Sequence, residues 1–214
     1  VSTTEAVTPR PSLVVGSDGV SRCAWAGLDG EYQRYHDEEW GTPLHGDRAL
    51  FEKISLEGFQ AGLSWITILR RRDSFRTAFH GFDIEAVAAM TTDDVDRLML
   101  DPGIIRNRAK IESTISNARV TLELERSPAA EGARDTGGPV ALDRLLWSFA
   151  PPARSRPPSS LAEVPAVTPE STAMSKALRS LGYRFVGPTT LYALMQSSGM
   201  VDDHVAGCVR SRQP

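Results

Sequence analysis

The residues that most constrain this fold stand near its two ends. Cys23 and His36 lie at the start of the folded part of the chain, and His204 and Cys208 lie at its end. On a helix, a spacing of i and i+4 puts both side chains on one face, which supplies half of a tetrahedral metal site. The other half has to arrive from the opposite end of the chain. Cys2His2 is a structural zinc set, because four N/S ligands close the shell and leave no position for a reactive water. Such a site would staple the N-terminal segment to the C-terminus. A plainer alternative stays open: without a secretory signal, two cysteines are commonly independent buried thiols, and the Cys23–His36 gap is longer than in a compact finger. His45 and His80, in polar loop-like contexts, read as surface or turn residues.

A chain of 214 residues with 41% hydrophobic and 24% charged residues can bury one sizeable core, divided into two lobes at most. No apolar run reaches the length of a membrane span, and the N-terminus lacks a basic-then-apolar signal pattern. The expected setting is the reducing cytoplasm, with no membrane partner. A net charge of −3 argues against indiscriminate polyanion binding and leaves room for a local basic patch. Lysine is scarce: only Lys53, Lys110 and Lys176 occur.

Val1 to about Ser21, rich in Ser, Thr, Pro and Gly, reads as a disordered leader. A single domain over 22–209 follows, with 210–214 as a tail. Helical patterns succeed one another through Leu50, Phe51 and Ile54, and through Leu63, Ile66 and Leu69 up to the basic run Arg70-Arg71-Arg72. Ile84, Val87 and Met90 mark a short helix, and Thr91 with Asp94 resembles a capping pair before Val95, Leu98 and Met99. Ile111, Ile115, Ala118 and Leu122 recur at helical spacing. The stretches Arg126–Val140 and Pro151–Ser160 are loops by composition, with a short helix through Leu142, Leu145, Leu146 and Phe149 between them. Further helices run through Met174, Leu178 and Leu181, closing at Gly182, and through Leu191, Leu194 and Met195. Tyr183–Val186 is the only strand-like run and reads as a connector. The fold class is mainly α.

Asp101-Pro102-Gly103-Ile104-Ile105-Arg106-Asn107-Arg108 connects two helical patterns and looks like a helix-hairpin-helix turn. Gly lets the backbone approach closely, and free N–H groups at the next helix N-terminus can hold a phosphate. Arg106, Arg108 and Lys110 would add charge nearby. An ordinary turn beside a solvated basic face is the alternative.

Dispersed segments then decide the reading. They are Cys23-Ala24-Trp25, Tyr35-His36-Asp37-Glu38-Glu39-Trp40-Gly41, Leu56-Glu57-Gly58-Phe59-Gln60-Ala61-Gly62-Leu63-Ser64-Trp65, Gly103-Ile104-Ile105-Arg106, Phe185-Val186-Gly187 and Asp203-His204-Val205-Ala206-Gly207-Cys208. Together, from about Arg22 to about Val209, they closely resemble the DNA-3-methyladenine glycosylase I family of the helix-hairpin-helix superfamily. The resemblance implies a glycosylase fold with a structural zinc held by Cys23, His36, His204 and Cys208. It implies that Glu57 is the essential base-recognition glutamate, that Tyr35 and Trp65 are pocket aromatics with Trp25 and Trp40 close by, and that Gly103, Ile104, Arg106 and Arg108 meet DNA. Phe59 departs from relatives that carry a polar residue there, a change expected at the pocket's edge. Superfamily lyases carry a hairpin Lys where Asn107 stands here, so the implied enzyme is monofunctional.

The residues suit that chemistry in their own right. A glycosylase takes its base out of the stack into a pocket. Aromatic faces favour a flat cationic ring, and an ionised Glu57 attracts the charge of an adenine alkylated at N3. Without the family, Trp65 would read as core and Glu57 as a solvated helix-end residue. The family is unusual in lacking the superfamily's catalytic Asp; Glu123 and Glu125 occupy the corresponding stretch, and no water-activating residue is evident. The implied partner is double-stranded DNA carrying 3-methyladenine, bound by a monomer. Two rival classes are a zinc-stapled DNA-binding protein without catalysis and a zinc hydrolase.

Overall fold

The central element is the helix α2 (Asp47–Gln60), buried on nearly every side from Leu50 to Phe59 in the computed structural model, which describes residues 11–126 and 141–211. A helix buried on nearly every side belongs in the middle of a bundle, and this one takes the polar side chains of Asp47, Lys53 and Glu57 inside with it. Leu50, Phe51, Ile54, Leu56 and Phe59 join Phe75, Phe79 and Phe82 in the main core. The other helices are α1 (Gly30–Glu38), α3 (Trp65–Leu69), α4 (Arg72–Ala78), α5 (Ile84–Ala88), α6 (Thr92–Leu98), α7 (Arg108–Glu125), α8 (Ala141–Trp147), α9 (Pro169–Ser180) and α10 (Pro188–Ser197), of which α3, α7, α8 and α10 pack on α2. The architecture is mainly helical, as the periodicity predicts.

Local chemistry sets the helix ends. Asp29 caps α1 by accepting from the backbone N–H groups of Glu31 and Tyr32, and Thr91 with Asp94 forms the expected capping box of α6. Asn107 caps α7 through the Lys110 N–H at 3.1 Å. Gly182, at φ +100°, stands just past α9 where a left-handed residue is needed. The C-terminal end of α2 is held by a side chain from α7: Lys110 Nζ donates to the carbonyls of Phe59 at 2.9 Å and Ala61 at 2.7 Å.

Several expectations change. Residues 11–21 are not a structureless leader: strand β1 (Leu13–Val15) pairs antiparallel with β2 (Ser21–Cys23), Leu13 opposite Cys23. The runs are too short to show alternation, and pairing supplies what periodicity could not. The rest of the expected leader, residues 1–10, lies outside the described residues, as do 127–140 of the expected loop and 212–214 of the tail. The pattern through Leu63–Leu69 yields a short α3 and, after a break at Arg70 and Arg71, a separate α4. α1 escapes periodicity because Tyr32 and Tyr35 are its only large apolar residues, too few to set a period in the sequence. His204 and Cys208 are not on a helix; they lie in an irregular segment that turns at Gly207, φ +87°. That turn, not a helical face, brings the two ligands together.

Candidate active site and metal-ligand cluster

Strand β2 and helix α1 deliver the first half of the four-residue cluster, and the C-terminal turn delivers the second. The donor atoms of Cys23, His36, His204 and Cys208 all lie within 4.8 Å of one another, and all four residues are buried. Cys208 Sγ is 3.4 Å from His36 Nε2 and 3.6 Å from His204 Nδ1, and Cys23 Sγ is 3.8 Å from His204 Nδ1. Ordinary metal–N and metal–S bonds of about 2.0–2.3 Å in a tetrahedron put donors roughly 3.3–3.8 Å apart, so the set could hold a metal ion.

The second ring nitrogens are also placed. His36 Nδ1 meets Asp37 Oδ1 at 2.8 Å, and His204 Nε2 meets the Trp40 carbonyl at 3.2 Å. Such contacts fix the tautomer that turns the opposite nitrogen inward. Asp37 is itself gripped by Arg22, whose Nη2 lies 2.7 Å from both Asp37 and Asp18. Hydrogen bonding from Cys23 holds the Cys208 thiol far below its usual range, while the same contact and burial push Cys23 up. A divalent cation would let both sulfurs ionise.

The cluster shares a wall with a cleft. Trp40 packs edge-on against His204 at 4.6 Å between ring centroids, and Trp25 packs against His36 at 5.2 Å. Gly41 permits this approach: a Cβ there would lie 3.0 Å from His204 Nε2, and its φ is +76°. Beyond the two tryptophans opens a cleft of about 180 Å³, lined by Trp25, Tyr32, Tyr35, Trp40 and Trp65, with Glu57, Gln60, Gln196, Ser197 and Asp203 supplying polar groups.

Glu57 is only 3% exposed, which excludes the solvated helix-end reading. Ser197 from α10 donates a hydrogen bond to its Oε1 at 2.8 Å. Burial pushes the Glu57 carboxyl up to about 7, against the opposing pull of the Lys53 charge and the Ser197 hydroxyl. Burial likewise keeps the Tyr35 phenol neutral, and Tyr32 is raised to about 12. The indole N–H of Trp65 is buried with no acceptor among the described residues. An aromatic box with the Glu57 carboxylate and an unpartnered Trp65 N–H suits a flat, polar-edged, positively charged ring.

The sequence profile of the methyladenine glycosylase family matches residues 25–211. The chain belongs to that family. It is 45% identical to DNA-3-methyladenine glycosylase 1 of Escherichia coli (strain K12) over 193 residues, covering 88% of this chain and 96% of that protein. It is 46% identical to the DNA-3-methyladenine glycosylase of Haemophilus influenzae over 191 residues, with the same shares covered. Among solved structures, a crystal structure of 3-methyladenine DNA glycosylase I superposes with a TM-score of 0.81 at 44% identity, covering 89% of this chain and 100% of that one. The Staphylococcus aureus 3-methyladenine DNA glycosylase I, studied for its recognition of 3-methyladenine, gives 0.79 at 33% identity over 90% of this chain and 97% of its own.

Within this family member, Tyr35, Trp25, Trp40, Trp65 and Glu57 converge on one cleft. Phe59 does not reach its edge: it is 1% exposed in the core, 4.6 Å from Phe75. The hairpin residues lie elsewhere, between α6 and α7. The Ile104 side chain is buried and the Gly103 N–H donates to Asp101 at 2.7 Å. Arg106 is exposed, whereas Arg108 is paired with Asp96 and Glu112. Lys110 adds no surface charge, being buried at the end of α2. Glu123 is exposed, and Glu125 lines a different cavity beside Asp47. His45 is a half-exposed ring stacked on Trp147, and His80 sits in a turn. Sequence reasoning missed Tyr32, Ser197 and Lys53; only Lys53, one turn before Glu57 on α2, left a legible signal.

Proposed function

We propose that this protein is a base-excision-repair glycosylase that hydrolyses the N-glycosidic bond of 3-methyladenine in alkylated DNA. The observation that carries the reading is a buried carboxylate, Glu57, at the foot of a five-ring aromatic cleft in a methyladenine glycosylase family member. The lesion is flipped from double-stranded DNA into the cleft, where its cationic ring stacks on Tyr35 and Trp65. Glu57 attracts the charge and accepts from the exocyclic amine. Guanine would present a carbonyl to that carboxylate and leave a polar atom unpaired.

The C1′–N bond then breaks, and its electron pair neutralises the departing base. Water adds its oxygen to C1′ and gives up a proton. A cationic base is already a good leaving group, so binding, orientation and water exclusion supply the catalysis. Glu57 is the residue assigned to the reaction. No imine forms with the sugar: Asn107 stands at the lyase position, and Lys110 Nζ is held by two backbone carbonyls. Gly103, the Ile104 backbone, Arg106 and Arg108 are assigned to the phosphates, an interaction that positions without reading bases.

Zinc is the metal that best suits the four-residue cluster, by its two-thiolate, two-imidazole donor set. Bound there, it closes the chain's ends on each other and steadies Trp25 and Trp40. With four protein ligands it is structural, and the enzyme acts as a monomer. Incubation with methylated duplex DNA, followed by analysis of the free bases, tests the activity. Release of 3-methyladenine with an uncut backbone is expected. A protein that binds the duplex and frees no base would be the non-catalytic alternative.

A further inference from the structure

A second charged residue stands beside Glu57 inside α2. Lys53 lies one helical turn before it and is 9% exposed. Its Nζ is 5.2 Å from the Tyr35 ring centroid and 5.5 Å from that of Trp65, the two rings assigned to the base. Lys53 does not line the cleft. It lines a cavity of about 250 Å³ on the other side, with Glu39, Glu52, Arg72, Arg76 and Ser197 among its neighbours. Ser197 borders both spaces.

A buried ammonium at such a place is costly to keep, and an apolar side chain would fill the space without that cost. Charges of alternating sign surround it. Burial pulls the Lys53 ammonium below its usual range; Glu57 and Glu39 favour its charged form against that pull, and Arg72 opposes it while being tied to Glu39 at 2.9 Å. Arg76 is tied to Glu52 at 2.9 Å. Facing Glu57 are Lys53 from its own helix, the Ser197 hydroxyl from α10 and the neutral phenols of Tyr32 and Tyr35 from α1, with Asp203 at the cleft wall. Lys53 is the only cation among these groups. Its placement behind the rings puts positive charge near the carboxylate and leaves the cleft face free for a cationic ligand.

We propose that Lys53 is a positioning residue, biasing Glu57 toward its carboxylate from behind the Tyr35–Trp65 wall so that the pocket can carry negative charge for a cationic base near neutral pH. This rests on the glycosylase reading given above. Burial alone drives Glu57 toward its neutral form, and Lys53 is the largest opposing influence. Removing its charge should therefore extend the protonated form of Glu57 to higher pH.

The test is single-turnover release of 3-methyladenine from methylated duplex between about pH 6 and pH 9. It compares the unaltered protein with Lys53→Met, Lys53→Gln and Lys53→Arg, each checked for folding by circular dichroism. With either neutral substitution, the acid limb should move to higher pH. The rate should fall about tenfold near the foot of that limb and converge with the unaltered protein at the alkaline end. Lys53→Arg should keep the original limb. A 13C titration of the Glu57 carboxyl in the same proteins reads the same displacement without substrate. An unmoved limb and titration, or a loss by one constant factor at every pH, would overturn the proposal. An unaltered protein that frees no base would overturn the glycosylase reading instead, and the carboxyl titration would still decide the role of Lys53.

Discussion

Glu57 does two opposed things. Its folded carboxyl lies near 7, above the ordinary carboxylate value, because α2 buries it. An acid whose pKa is raised on folding contributes its full share of stability below the unfolded value, and loses it as pH rises through the folded one. Above neutrality the fold therefore carries a burial cost on the order of 1–3 kcal/mol. Glu57→Gln keeps the size and removes the charge. Melting temperature at about pH 8 should rise by several degrees, with the gain shrinking toward pH 5. The same substitution should cut 3-methyladenine release roughly a hundredfold or more, while binding to undamaged duplex at fixed salt changes little. Equal losses for damaged and undamaged DNA would make Glu57 a scaffold residue.

At the scale of elements, the turn between α6 and α7 and the end of α2 are joined by Lys110. Lys110→Met removes two charge-assisted hydrogen bonds and should cost about 2–4 kcal/mol in denaturant unfolding. Borohydride treatment during turnover should trap no protein–DNA adduct, since the Lys110 amine is engaged by two backbone carbonyls. A trapped adduct would overturn the monofunctional assignment. Gly103 is the other test of the turn. A Cβ there would meet the side chains of Ser74 and Asp101 at 3.0 Å, so Gly103→Val crowds the turn. Affinity should drop alike for damaged and intact duplex, because phosphate contacts carry no sequence information. A loss confined to damaged DNA would assign the turn to the pocket.

At the scale of the whole molecule, Cys23 and Cys208 bring residues far apart in the chain within one small cluster. Metal bound there would stabilise the folded chain over the unfolded one, in which the four donors are not gathered, and so couples metal affinity to folding. Purified protein should hold about one zinc per chain by elemental analysis. Cys208→Ala should lower the melting temperature, and because Trp25 and Trp40 pack on the ligand imidazoles, their fluorescence should change with metal removal. Metal-free protein that keeps full thermal stability would contradict a structural zinc.

The sequence by itself determined the helical class, the α6 capping box, the Gly182 stop and the residue types of the cleft. The first three follow from short-range rules, since apolar period and cap chemistry act over a few residues and survive without the fold, whereas the cleft residues were legible only through the family resemblance. The tertiary structure alone decided how distant residues meet. It placed His204 and Cys208 on a glycine turn where spacing had suggested a helix, paired residues 13–15 with 21–23, and withdrew Phe59 into the core. It also set Lys53 behind the aromatic wall and raised the Glu57 carboxyl. Burial and charge environment depend on what other segments pack against a side chain, and those contacts are written in no local pattern.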